Sequence, residues 1–244
     1  MITFQQLKEG VYDPHIFKAV FLAGGPGSGK SFVVGRTLGG TGLKIINSDE
    51  PFERYLVKTG LSLDMPDEEQ IPRDIERKRA KKVTAAKKGH ALDGRLGLII
   101  DGTGKDYAKL TKQASELKKI GYEVSMVFVN TSLETALKRN QMRKRSVPPR
   151  IAEQGWKDVQ ANLGKFQQFF SPKSFFIVDN NDHNENLLEL SAKMITRALR
   201  RKVNNPIANA WIANELKKKQ ATISPNSLGR NIGTGGGGYV PKRS

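Results

Sequence analysis

Eight residues, Gly24-Gly25-Pro26-Gly27-Ser28-Gly29-Lys30-Ser31, hold the densest chemistry of this 244-residue chain. They match G-x-x-x-x-G-K-[ST] between an apolar run, KAVFLA at 18–23, and a helical pattern over 31–38. In that setting the spacing binds phosphate. Glycines let backbone N–H groups turn inward around phosphate oxygens, and the helix that follows adds its positive N-terminus. Lys30 supplies a mobile positive charge to the β- and γ-phosphates, and the Ser31 hydroxyl is placed to hold Mg²⁺. The expected nucleotide-binding set is Gly25, Pro26, Gly27, Ser28, Gly29, Lys30, Ser31 and Phe32.

Three further groups follow apolar runs. Asn47-Ser48-Asp49 follows LKIIN, so Asp49 can face a cleft and take a proton from a substrate hydroxyl, or it can cap the next helix. Asp101 ends LIID before Gly102-Thr103-Gly104, and reads as a Walker-B-type Mg²⁺ ligand or as an ordinary strand-end acid in a turn. Arg139 and Arg143 are four apart in LKRNQMRKR, which on a continuous helix puts them on one face. Two guanidinium groups there can clamp a transferring phosphoryl group, with Arg145 and Arg150 as further lid candidates, or they form a solvated basic face. The basic helix expected at 73–88, with Arg73, Arg77, Lys78, Arg79, Lys81, Lys82, Lys87 and Lys88, is an acceptor groove or a solvated helix. Trp156 and the phenylalanines at 166–170 read as core rather than as a base-stacking platform.

The elements that must position these groups alternate. Strands are expected at 18–23, 43–47, 96–101, 123–129 and 174–178, and helices at 31–38, 50–58, 73–88, 106–119, 132–145, 151–169 and 185–202. Thr131-Ser132-Leu133-Glu134 reads as a capping box. Alternation with short apolar strands implies a parallel sheet covered on both faces, with ligands at the strands' carboxyl ends. Asn205-Pro206 closes this part, so residues 1–204 are expected to form one domain and 205–244 a basic, partly flexible extension with a short helix at about 206–219.

The formal net charge is +17, and residues 193–244 carry +10 of it, with eleven Lys or Arg against Glu215. Such a field attracts polyanions, nucleic acid among them. The chain has no Cys, which excludes disulfides, thiolate metal sites and iron–sulfur clusters. Three His without helical pairing make a zinc enzyme an unexpected outcome, and no apolar run reaches the ~18 residues a membrane span needs. MITFQQLKEG has neither the basic nor the apolar region of a secretory leader, so the expected location is cytoplasmic.

In order, the blocks GGPGSGKS, IINSDE, LIIDGTG and LKRNQMRKRSVP resemble those of the P-loop kinases grouped around zeta toxins and the phage polynucleotide kinase. The resemblance covers about 18–150 and extends to the last strand. It implies a P-loop NTPase three-layer α/β fold with a mostly parallel five-stranded sheet and a helical lid, to which this chain adds a basic C-terminal tail. It also implies ATP and Mg²⁺ as cofactors, with Lys30 and Ser31 on phosphate and Mg²⁺, Asp49 as general base and Arg139 and Arg143 as the phosphate clamp. Asp101-Gly102-Thr103 is similar to the Glu-Gly-Thr of zeta toxins. Where the polynucleotide kinase surrounds its base with basic residues, this chain has Ser48, Glu50 and Phe52. The acceptor therefore stays open between a polynucleotide 5′-hydroxyl or a nucleotide and, by the zeta-toxin likeness, a nucleotide sugar such as UDP-N-acetylglucosamine. A nucleic-acid-binding ATPase and a non-catalytic nucleotide-binding module are the readings outside the kinase class. The texture resembles that of phage-encoded proteins, for which the cytoplasm would be the host's.

Overall fold

Strand β1 (Lys18–Ala23) is buried along its whole length, and its side chains alternate between two cores. Ala19, Phe21 and Ala23 face one, and Val20 and Leu22 the other. A strand buried on both sides reads as a continuous apolar run because neither face meets water. The computed structural model describes residues 10–64, 66–143, 147–182 and 184–223. Around β1 it builds a five-stranded sheet with β2 (Lys44–Ile46), β3 (Leu98–Asp101), β4 (Glu123–Asn130) and β5 (Phe175–Asp179). The order is β2-β3-β1-β4-β5, and every pairing is parallel. The chain leaves β1 toward β2 and β3 on one side and later crosses to β4 and β5 on the other. The carboxyl end of β1 is thus the switch point at which such sheets bind ligands.

Helices α1 (Lys30–Leu38) and α8 (Glu185–Leu199) cover the face that carries Val20 and Leu22. The opposite face is covered by α4 (Tyr107–Lys119), α6 (Pro149–Ala161) and α7 (Leu163–Phe170), which gives three layers. Helices α2 (Asp49–Lys58) and α3 (Gln70–Asp93) pack on one another through Phe52, Leu56 and Ala80, a small core of their own. The extension contributes α9 (Pro206–Ile223). Ala208 is fully buried against Gly121, and Trp211 meets Phe17 edge-on at 5.4 Å. No helix among the described residues is long and apolar enough to cross a membrane. Residues 224–244, the rest of the expected tail, lie outside the described residues.

Three local expectations change. The helix expected over 132–145 is α5 (Leu133–Gln141) and stops four residues early. Asn140 is the reason: it is buried, its Nδ2 donates to the Val147 carbonyl (2.6 Å), and the Val147 N–H donates to its Oδ1 (3.2 Å). Those bonds turn the chain back toward α6. The cap of α5 is Ser132, one residue later than expected; its Oγ accepts from the Thr135 N–H and its own N–H donates to Asn181 Oδ1, so the expected capping box with Glu134 does not form. The expected helix over 151–169 is split at Asn162, whose Nδ2 donates to the carbonyls of Gly104 (3.1 Å) and Lys105 (2.8 Å). A side chain drawn into another loop costs helix continuity but satisfies two buried acceptors.

Candidate active site

The phosphate loop leaves β1 at the switch point and is held from several sides. The Gly24 N–H donates to the Thr103 carbonyl (2.9 Å), which ties the loop to the turn after β3. Gly25 lies so close to α6 that a β-carbon there would sit 3.2 Å from the Trp156 Cα, and Pro26 packs on Gly155. Trp156 is itself fixed by Nε1 donating to the Thr131 carbonyl (2.9 Å), so it is a packing residue of the loop. Gly27 and Gly29 have φ of +75° and +80°, and Gly29 is the N-cap of α1. The N–H groups of Gly27, Gly29, Lys30 and Ser31 find no protein acceptor among the described residues. They form the concave row of donors that an anion requires.

Behind the loop, Asn180 follows β5 and is buried, its Nδ2 donating to the Ser28 carbonyl (2.8 Å). Arg139 donates from its two terminal nitrogens to the carbonyls of Asn180 (2.5 Å) and Asn181 (2.8 Å). Ser28 Oγ and Asn180 Oδ1 are buried without a partner beside the loop. The Ser28 hydroxyl can donate to an anion seated on the unpaired N–H groups, whereas Asn180 Oδ1 can only accept and is not explained by an anion.

In front of the loop stand the charged groups. Lys30 Nζ donates to the carbonyl of Gly24 (2.7 Å) and more weakly to that of Gly25 (3.4 Å). Burial pulls its pKa below the ordinary lysine value and Arg143 adds to this, while Asp101 and Asp49 oppose it. Asp101 is pushed above the usual carboxylate range, by burial first and by Asp49, and Lys30 and Arg143 draw it back. These four residues feel one another's charge, so they form one electrostatic cluster across the ends of β2 and β3. Asn47 links the two strand ends: its Nδ2 donates to Asp101 Oδ2 (2.7 Å), and its Oδ1 accepts the Asp49 N–H (2.7 Å).

Asp49 is the first residue of α2, and its carboxylate meets Arg77 of α3 at 2.7 Å rather than capping the helix. The Arg77 guanidinium also lies over the Phe52 ring, 4.6 Å from its centre. Arg143 follows the C-cap of α5, so it does not share a helix face with Arg139. One guanidinium braces the loop after β5, and the other is exposed on the side of Lys30 and Asp101. Ser31 and Phe32 are exposed on the first turn of α1, and Arg150 is exposed at the start of α6. Arg145 lies outside the described residues.

Sequence reading missed the asparagines. Asn47, Asn162 and Asn180 each join two segments distant in sequence, Asn140 ties the end of α5 to Val147 seven residues on, and none has a spacing that announces it. Arg77 was legible only as one base among eight; what singles it out is the geometry of α3 against α2.

The loop and both acid-bearing strand ends fall within residues 20–166, which match the model of the AAA_33 family, an AAA domain. The chain belongs to that family. Among solved structures, this AAA_33 chain is similar to a candidate kinase from Chloroflexus aurantiacus, at TM-score 0.54 and 14% identity over 77% of this chain and 100% of that one. The PezAT toxin–antitoxin system of Streptococcus pneumoniae gives 0.51 and 16% over 80% and 91%. The AvrRxo1-ORF1:AvrRxo1-ORF2 complex, solved with sulphate ions, gives 0.52 and 14%; this chain matches with 68% of its residues and spans 55% of that chain. No curated protein sequence matches the chain. The fold of this AAA_33 member is therefore that of the P-loop kinases, as the sequence blocks implied.

Proposed function

We propose that the chain is an ATP-dependent phosphotransferase. The observation that carries this reading is Asp49, a carboxylate at the end of β2 in the same charged cluster as Lys30 and Asp101. A loop that only binds nucleotide has no use for a second acid there; a carboxylate so placed deprotonates an acceptor hydroxyl, or water in an ATPase, and transfer to an acceptor tells the two apart. The row of free N–H groups at 27–31 holds the phosphates of ATP, and Lys30, swung from its own loop carbonyls, neutralises charge on the β- and γ-oxygens. Asp49 accepts the proton of the acceptor hydroxyl. The acceptor oxygen forms its bond to the γ-phosphorus as the bond to the β-bridging oxygen breaks, and ADP leaves with the electron pair. Arg143 balances charge on the transferring group. Catalysis is then positioning and charge neutralisation, each worth orders of magnitude in rate.

The donor set fits Mg²⁺: a hydroxyl, Ser31, and a carboxylate, Asp101, whose ionisation burial disfavours and a cation would restore. Bound there, the ion would neutralise phosphate charge as a Lewis acid. Arg77 beside Asp49 supports an acceptor that carries its own anionic group near the reacting hydroxyl, as a polynucleotide 5′-end, a nucleotide or a nucleotide sugar does.

The test is transfer of labelled γ-phosphate from ATP to 5′-hydroxyl DNA and RNA, nucleoside monophosphates and UDP-N-acetylglucosamine. Asp49→Asn should lower turnover by about 10²-fold or more with ATP affinity kept, and Lys30→Ala should remove both. Arg77→Gln should raise the KM for the acceptor more than it lowers kcat. Phosphate release without label in any acceptor, whether or not Asp49→Asn lowers it, would replace this reading with that of an ATPase.

A further inference from the structure

The amino-terminal ends of the strands carry a second charged feature. Lys18 opens β1, Glu123 opens β4, and Lys173 lies just before β5. Here two hollows of about 560 Å³ and about 300 Å³ adjoin, and Arg201 lines both. The larger lies along α8, with Lys193, Arg197 and Arg200. The smaller runs under the sheet, with Lys18, Lys118 and Lys173. Their carboxylates are taken: Glu189 pairs with Lys193 at 2.7 Å, and Glu123 pairs with Lys18 and accepts the Asn204 N–H. That leaves Arg197, Arg200, Arg201, Lys118 and Lys173, none of which has a carboxylate within ion-pair distance among the described residues.

Cations in the last turn of a helix answer its macrodipole, and this accounts for Arg197 and its neighbours singly. Lys118 likewise lies in the last turn of α4, over the Phe169 ring at 4.3 Å, but no helix end accounts for Lys173, from the approach to β5, meeting Lys118 and Arg201 at the same hollow. Nor does the phosphate loop use these groups. It leaves the opposite end of β1, six residues away, or roughly 17 Å at 3.3 Å per residue. The basic C-terminal segment joins the feature, since α9 docks Ala208 on Gly121 and Trp211 on Phe17 at this end of the sheet.

We propose that these hollows form a docking surface for the phosphate backbone of nucleic acid, separate from the phosphate loop. Converging guanidinium groups match discrete phosphate oxygens two bonds at a time. Arg197 and Arg200 stand along α8 alone, but Lys118, Lys173 and Arg201 reach the smaller hollow from three segments, an arrangement that suits discrete phosphates better than a flat lipid surface. The surface is independent of the phosphotransfer reading because it requires neither ATP nor an acceptor hydroxyl.

The experiment uses the full chain without nucleotide and a fluorescent single strand of about 20 nucleotides, with the matching duplex alongside. Anisotropy is followed between about 50 and about 200 mM KCl. Replacing Arg197, Arg200 and Arg201 together by Gln should weaken binding of at least one form about tenfold or more. It should also reduce the salt slope by about two, the loss expected for three phosphate contacts on a single strand. ATP affinity, which also reports the fold, should not change. The triple Lys variant should restore the slope. If the Gln triple fails to fold, Lys118→Gln with Lys173→Gln, which lie on other elements, must show a reduced slope by itself. Three results overturn the proposal: an unchanged slope, an equal loss from a Gln triple at Lys78, Lys81 and Lys82 of α3, or a loss confined to phosphatidylserine vesicles.

Discussion

A β-carbon at position 27 would fall on the carbonyl oxygen of Ala136 in α5, and the backbone there has φ +75°. Gly27→Ala therefore meets two penalties, left-handed backbone at about 1–2 kcal/mol and a backbone collision that only a shift of α5 relieves. We expect ATP binding to be lost and the melting temperature to fall by several degrees, read by nucleotide titration and calorimetry. At Asp101 the penalty is electrostatic. Its pKa is raised in the fold, so folding favours the protonated acid. The associated stability is complete below the ordinary Asp range and is lost as pH rises through the raised value. In chelator, Asp101→Asn should melt above the unsubstituted protein at neutral pH, and the gap should close on acidification. A gap independent of pH would mean that Asp101 is not held under this strain.

Between elements, side-chain amides do the joining. Asn140 ends α5 and sets the entry to α6, and α6 then carries Gly155 and Trp156 onto the phosphate loop. Removing the amide strands the Val147 N–H and carbonyl. Asn140→Ala should cost about 1–3 kcal/mol, or roughly 2–4 °C in melting temperature per kcal/mol for a chain of this size. Because α6 backs the loop, ATP affinity should fall as well. A variant that melts lower but binds ATP as before would separate α6 from the site. The split at Asn162 works in the same way, fixing the turn after β3 to which Gly24 is bonded.

For the molecule as a whole, charge and core follow different boundaries. More than half of the excess positive charge lies from Lys193 onward, yet the core continues past that residue to Val203 and Ala208, with Trp211 packed against its edge. The structure therefore puts a cut before Asn205 inside the packing. Deleting 205–244 would uncover Phe17 and Tyr122, which are fully buried. Losing Ala208 and the Trp211 contact should lower the melting temperature markedly, and polyanion binding would fall for want of a stable fold as well as of charge. A truncation at 204 that melts unchanged would show that α9 is dispensable.

By itself the sequence determined the five strands, the phosphate loop and the two strand-end acids, because each is a local pattern. Strands buried on both faces must be apolar throughout, and a tight anion-binding turn must be rich in glycine. The helix expected at 73–88 runs over Gln70–Asp93 and that at 185–202 ends at Leu199, while the breaks at Gln141 and Asn162 are set by asparagine side chains that bond outside their helix. Only the tertiary structure decided that Arg139 and Arg143 part company, that Arg77 among eight bases finds Asp49, and that Arg201 meets Lys118 and Lys173 at the end of the sheet away from the loop. These are long-range juxtapositions. Spacing along the chain does not encode them, since they arise from the order in which parallel crossovers stack the strands.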